Sequence, residues 1–299
     1  MSKSIRLILI VLMLLSLLVL VPSGCNAEIV ELPLDGGGLP PQEDCFTDWT
    51  YEDPSISVRI EKGRYIDTDY VIAYVKIANA SQLRTKFADT EYSVHQKKIE
   101  RIVNGTNYVL AMNGDWFNST ERLYCRYTCR QGHVYFVNDA LRDHEKGWWL
   151  DILVIDDEGN LHVEQKATKE RLENLPYTPI NSFTFGPALI IDGVPQEELW
   201  DMTGSPVYSN LAGRTCIAQT GPLEYMLIYT CIAACPNCKG MTIQEFGAFV
   251  SQFEGIQTAY TLDGGSSGQL LFHGRKLSSE IADREISDIL YFTSAYQPD

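Results

Sequence analysis

Three short stretches of the chain gather carboxylates, an arginine, amides and glycines at the ends of strand-like runs. In Thr261-Leu262-Asp263-Gly264-Gly265-Ser266-Ser267-Gly268 a strand-like run carries a carboxylate to its end, and glycines and small hydroxyls follow at once. Glycines let the backbone turn sharply and let a ligand approach the amides. Exposed N–H groups and serine hydroxyls suit phosphate or sugar oxygens. The same letters also read as a hairpin turn between strands at 258–262 and 269–272, because Asp-Gly is a common hairpin signal. Ala111-Met112-Asn113-Gly114-Asp115-Trp116-Phe117 sets an amide, a carboxylate and two aromatics at another strand end. A carbohydrate site has that composition, and so does a strand cap with core aromatics. Gly213-Arg214-Thr215 places an arginine just before an apolar strand. Its fork can take phosphate in bidentate fashion or make a surface salt bridge.

Strands must deliver these residues, and the sequence predicts many. Segments 70–77, 108–112, 150–155, 161–163, 183–191, 225–229, 258–262, 269–272 and 287–292 are rich in β-branched and aromatic residues. Asp156-Asp157-Glu158-Gly159-Asn160 makes a hairpin turn between two of them. Two helices are expected. Ser93 caps the first, with Gln96 three residues on and Asn104-Gly105 at its end. Thr242 caps the second, with Glu245 at the reciprocal position; Phe246, Phe249, Val250 and Phe253 share a face, and Gly255 closes it. Many strands with few helices predict an α+β fold: a mixed, strand-rich sheet core with a few flanking helices, in a single domain at 48–299.

The first 27 residues read as an export signal. Lys3 and Arg6 precede an apolar run from Leu7 to Val21, and Pro22-Ser23-Gly24-Cys25-Asn26-Ala27 supplies small residues for cleavage. About 15 apolar residues is short of the roughly 20 a spanning helix needs. Gly24-Cys25 resembles the end of a lipobox, so the mature chain is expected either lipid-linked through Cys25 or free after Ala27. An extracytoplasmic protein follows, secreted or anchored to the outer face of the membrane. Residues 28–47, with Pro33, Gly36-Gly37-Gly38 and Pro40-Pro41, are expected to be a flexible linker.

Loss of the signal leaves 22 basic against 39 acidic residues, a net charge of −17. Such a surface repels nucleic acid and anionic lipid, so phosphate must be met by a local cluster of donors. Outside Cys25 stand Cys45, Cys125, Cys129, Cys216, Cys231, Cys235 and Cys238. In an oxidising compartment most are expected in disulfides, with Cys125/Cys129 and Cys235/Cys238 as local candidates.

Asn113-Gly114-Asp115-Trp116-Phe117, Phe185-Gly186-Pro187-Ala188-Leu189-Ile190-Ile191-Asp192-Gly193, Gly213-Arg214-Thr215, Gly240-Met241-Thr242 and Leu262-Asp263-Gly264-Gly265-Ser266-Ser267, taken in order, resemble the phosphodiester glycosidase family. The closing Arg284-Glu285-Ile286-Ser287-Asp288 is similar to that family's C-terminal strand, so the resemblance spans residues 55–293. Each motif alone is weak, and five in register are strong. Asp115 and Trp116 depart from the family's usual Asn-Gly-Gly-Phe-Phe, and Ser266 stands in place of a third glycine.

The resemblance implies an exported hydrolase that cleaves the bond between a sugar, N-acetylglucosamine-like, and a phosphodiester in a glycan or cell-surface glycopolymer. Asp263 would be the carboxylate facing an anomeric carbon of oxocarbenium character. Arg214 with the amides of Gly264 and Gly265 would hold the phosphate, Asn113 and Gly114 would orient the sugar, and Asp115 would be the second carboxylate. Ser266 and Ser267 complete the expected substrate-binding set. No cofactor is required by this chemistry. A divalent ion beside the phosphate stays open, though no oxygen-ligand loop is recognisable. Nucleic acid is not an expected partner, and membrane contact is expected only through the N-terminal anchor. Two rivals stand: a non-catalytic glycopolymer-binding module of the same fold, and a thiol–disulfide protein using Cys235 and Cys238.

Overall fold

Alternation of apolar side chains along the strands sorts them into two large sheets that share a core. The computed structural model describes residues 28–298 apart from 90–91, 93–94, 116–126, 140–150, 198, 200–209 and 233–234. Cys25, Ser93, Trp116, Phe117 and Cys125 therefore lie outside the described residues. Ile29–Tyr296 forms one compact unit.

The larger sheet has eight strands, in the order Val194–Pro195, Ala188–Ile191, Thr258–Leu262, Thr215–Gly221, Glu224–Thr230, Thr68–Ile77, Ile56–Tyr65 and Thr50–Asp53. The second has five: Arg275–Lys276, Leu270–Phe272, Tyr108–Asn113, Asp288–Thr293 and Leu83–Phe87. Every ladder in these two sheets is antiparallel. Ile217, Leu227 and Tyr260 of the first sheet meet Leu110, Met112 and Leu290 of the second in one apolar cluster. The opposite face of the larger sheet, with Cys216, Ala218 and Ile228, packs on the helix Ile243–Val250 through Phe246 and Phe249. Ala111, Ile289 and Tyr291 on the outer face of the smaller sheet cover Ile99 and Ile102 of the helix Ile99–Ile102. The layers thus run helix, sheet, sheet, helix, with a three-stranded sheet of Ile152–Asp156, Leu161–Glu164 and Pro179–Phe183 beside them. Strand-rich α+β architecture is what the sequence predicts.

Several local expectations need correction. The hairpin alternative for the 258–272 stretch fails, because Thr258–Leu262 and Leu270–Phe272 belong to different sheets. The segment between them crosses from one sheet to the other. The predicted strand at 183–191 is two strands in different sheets, Pro179–Phe183 and Ala188–Ile191. The first helix begins at Ile99 with Lys98 as its N-cap, because Lys97 pairs in extended conformation with Ile286. Nor does the Pro/Gly-rich stretch before the domain run free. Arg84, fully buried, donates from Nη2 to the carbonyls of Pro33, Leu34 and Gly36, and Leu32 is buried.

The helix Ile243–Val250 is as the sequence predicts at its N-terminus. The Thr242 amide donates to Glu245 Oε2 at 2.8 Å and the Glu245 amide to Thr242 Oγ1 at 3.2 Å, a reciprocal capping box. Glutamine can accept the same bond, so Glu245→Gln is expected to shift stability by no more than about 0.5 kcal/mol and to leave activity unchanged. Thermal melts and turnover measured side by side check this. A dead but folded variant would mark Glu245 as catalytic.

Among the described residues the disulfide is Cys231–Cys235, while Cys45, Cys129, Cys216 and Cys238 are thiols. This corrects the expectation that most cysteines are paired. Cys129 and Cys216 sit in separate apolar clusters. Burial pushes the Cys129 thiol up to about 11 and the Cys216 thiol up as well. Among the described residues no helix is long and apolar enough to cross a membrane.

Candidate active site

Strand register brings the sequence motifs together. Thr215 lies opposite Leu262 and Cys216 opposite Thr261, so Arg214 starts its strand where Asp263 ends the neighbouring one. In the second sheet Leu270 pairs with Met112 and Ile289 with Asn113, which sets Asn113, Gly114 and Asp288 at one end. The crossing segment links the two ends, and Asp263 stands at its start.

Asp263 is held by its backbone on three sides. Its N–H donates to the Gly114 carbonyl at 3.2 Å. Its carbonyl accepts from Thr215 Oγ1 at 2.9 Å and from Asn113 Nδ2 at 2.5 Å. A 3-10 turn then runs Gly265–Ser267. Glycine is required twice here. A Cβ on Gly264 would stand 2.4 Å from the Gly213 carbonyl oxygen, and Gly265 has φ +59. A Cβ on Gly265 would meet nothing within 4 Å, so that side of the turn is open.

The geometry changes the roles expected of several residues. Gly265 donates its N–H to the Gly213 carbonyl at 2.7 Å, so one of the two amides expected to hold phosphate is engaged inside the protein. Asn113 uses both ends of its amide, since its Oδ1 also accepts from the Gln269 N–H at 2.9 Å. It clamps the Asp263 backbone from a buried position, 1 % exposed. Gly114 leaves room for Asp288, whose Oδ1 would lie 2.6 Å from an added Cβ. Arg214 is only 4 % exposed, so it is a buried group and not a surface one. Its Nε donates to the Met241 carbonyl at 3.0 Å and its Nη2 to the Asn210 carbonyl at 2.7 Å, bracing the loops around the site.

Asp115 belongs to a buried charge cluster. Arg130 Nη2 lies 3.4 Å from Asp115 Oδ2 and also bonds Asp288 Oδ2, which Arg130 Nε reaches at 3.1 Å. Asp115 Oδ1 accepts from the Thr184 N–H at 2.8 Å, and the Asp115 N–H donates to Asp288 Oδ1 at 2.8 Å. Burial pushes the Asp115 carboxyl up to about 7, with the Asp288 charge adding to the rise; Arg130 and the Thr184 amide oppose it. The arrangement stiffens the strand end on which Asn113 and Gly114 sit.

Asp263 is 6 % exposed, and its Oδ2 has no hydrogen-bond partner among the described residues. Burial pushes its carboxyl up to about 7; Ser267, the Arg284 charge and the Gly264 amide pull the other way. A carboxyl balanced near neutrality, with an uncommitted oxygen, is suited to taking or giving a proton. Ser267 supports it, and Ser266 holds the Arg284 N–H through its carbonyl at 3.0 Å. The importance of Arg130, Arg284 and Asp288 is not readable from local sequence, although Arg284 and Asp288 lie within the C-terminal motif. Among the described residues no group of three or more His, Cys, Asp or Glu could hold a metal ion.

A zebrafish N-acetylglucosamine-1-phosphodiester alpha-N-acetylglucosaminidase catalytic domain, auto-inhibited by its pro-peptide, has a similar fold. Its TM-score is 0.60 at 13 % identity, over 86 % of this chain and 87 % of that one. A hypothetical protein from Synechocystis is similar at TM-score 0.54 and 14 % identity, over 79 % of this chain and 62 % of that one. No curated protein matches the chain significantly. The family profile for phosphodiester glycosidases matches residues 106–293, which contain every motif gathered around Asp263. On that match the chain belongs to the phosphodiester glycosidase family.

Proposed function

We propose that the protein is an exported hydrolase that cleaves the bond between the anomeric carbon of an N-acetylglucosamine-like sugar and a phosphodiester oxygen. The observation that carries this reading is Asp263: buried, at the meeting point of the two sheets, with one oxygen unpartnered among the described residues. The similarity in fold to the zebrafish glycosidase supports the choice of sugar. Phosphate leaves readily, so the leaving oxygen needs charge stabilisation more than a proton. The ionised Asp263 takes a proton from water, and the water oxygen bonds to the anomeric carbon. The carbon–oxygen bond to phosphorus breaks, and its electrons stay with the phosphomonoester. Asn113, Gly114 and Thr215 keep the carboxylate in place through its backbone. Arg214 positions the surrounding loops, and the Arg130 cluster secures the strand end beneath.

The fold alone also suits a module that binds a glycopolymer without turnover. The near-neutral carboxyl of Asp263 favours catalysis, since a binder has no use for a costly buried acid. The thiol–disulfide rival is disfavoured, because Cys235 is paired with Cys231 and not with Cys238. Incubating the protein with a panel of sugar-1-phosphodiesters, and detecting released sugar directly, tests the proposal. Release of the sugar with one equivalent of phosphomonoester is the expected result. Binding without release would leave the module reading in its place.

A further inference from the structure

The expected phosphate ligand, Arg214, donates to the backbone carbonyls of Met241 and Asn210, so in a chain of net charge −15 another cation is needed to meet the anion. Arg284 is exposed and approaches the Asp263 turn from the C-terminal side. Its backbone is fixed at both ends: the N–H donates to the Ser266 carbonyl at 3.0 Å, and its carbonyl accepts from Gln269 Nε2 at 2.9 Å. Its Nη1 donates to Ser267 Oγ at 3.4 Å, a long and weak bond. Among the described residues no carboxylate lies within ion-pair distance of it, whereas nearby Lys98 and Lys276 are both paired with Asp283. The turn it is anchored to is open at Gly265, where an added Cβ would touch nothing within 4 Å. Asp263, whose Oδ2 is unpartnered among the described residues on a side chain more than nine-tenths buried, precedes that turn.

We propose that the guanidinium of Arg284, anchored on the Gly265–Ser267 turn beside Asp263, forms an anion subsite that receives the phosphodiester group of the substrate. This rests on the reading of Asp263 as the catalytic carboxylate and names the group that recognises the leaving side. A guanidinium suits the task because its fork matches two phosphate oxygens. An exposed arginine without a carboxylate partner keeps its donors available until the anion arrives. With the substrate seated, the cation also lies where negative charge develops on the departing oxygen.

The test uses the full chain and two variants, Arg284→Gln and Arg284→Lys. Isothermal titration with inorganic phosphate is the first arm, and it does not depend on turnover. The parent is expected to bind phosphate, Arg284→Gln to bind at least about tenfold more weakly, and Arg284→Lys to fall between them. The second arm compares a sugar-1-phosphodiester with the neutral 4-nitrophenyl glycoside of the same sugar. Arg284→Gln is expected to raise KM for the phosphodiester by about tenfold or more and to leave the neutral substrate's KM unchanged. Thermal melts check that the variants fold; the residue is exposed and its side-chain bond to Ser267 is long, so they are expected to stay close to the parent. A parent that does not bind phosphate, or an Arg284→Gln variant that binds it as tightly, overturns the subsite. If the parent binds phosphate through Arg284 yet hydrolyses neither substrate, the subsite stands and the glycosidase reading falls.

Discussion

Asp263→Asn is expected to lower turnover of a sugar-1-phosphodiester by roughly 10²–10⁴-fold, the range attributable to a positioned general base. Asparagine preserves the size of the side chain but cannot accept the proton from water. The backbone bonds that fix residue 263, from Thr215, Asn113 and to Gly114, do not involve its side chain and survive the change. Loss of activity is therefore expected in a protein that still folds. In the parent, kcat/KM is expected to rise with pH through an apparent pKa of about 7, because the ionised carboxylate does the work. An acid role for Asp263 would give the opposite slope, activity falling through the same pH.

The stability of the same variant supplies an independent readout. The folded carboxyl titrates at about 7, above its ordinary 3.8. Its contribution to stability is fully present below about 3.8 and is lost as pH rises through about 7. Asparagine has no such titration. Relative to the parent, Asp263→Asn is expected to gain stability between pH 4 and pH 8, on the order of a few kcal/mol at most. A strained or desolvated catalytic group commonly trades stability for activity in this way. Denaturant melts at the two pH values measure it. An unchanged difference would mean that Asp263 is not held in an unfavourable charge state.

What could be read from sequence follows from the range of the interactions involved. The cap at Thr242 was legible because both partners lie within three residues and a capping box needs nothing else. The Asp263 turn was legible as a candidate site because two glycines in succession after a strand imply a backbone that must approach something. That something is partly the protein itself: Gly264 presses on the Gly213 carbonyl, a contact between strands that pairing alone creates. The break in 183–191 was invisible because apolar residues continue on both sides, while the Thr184 N–H turns away to Asp115. Likewise the Pro/Gly-rich stretch at 33–41 looks featureless until Arg84, about 50 residues on, collects its carbonyls. The Arg130 cluster joins residues 15 and 158 positions away, a separation at which no local pattern survives.

That cluster sets the second large expectation. Arg130→Met keeps an unbranched apolar stem but loses the guanidinium, which sits 4.7 Å over the Phe183 ring. It removes the charge that compensates Asp115 and Asp288, each more than nine-tenths buried. Breaking one partner out of a buried ion pair costs roughly 3–5 kcal/mol, because a charge is left without compensation. In a domain of this size that lowers Tm by roughly 6–20 °C. The loss is expected to depend on pH. With its carboxyl pushed up to about 7, Asp115 contributes stability below about 3.8 that disappears as pH rises through about 7. Arg130 opposes that rise, so its removal lifts the Asp115 carboxyl further and deepens the penalty above neutrality. The Tm difference between parent and Arg130→Met is therefore expected to be larger at pH 8 than at pH 5. Asp288→Asn in the same chain removes one stranded charge and is expected to restore part of the loss, though each change alone destabilises. If the double variant is no more stable than Arg130→Met, the cost lies in lost packing and carbonyl bonds, and the charge argument fails.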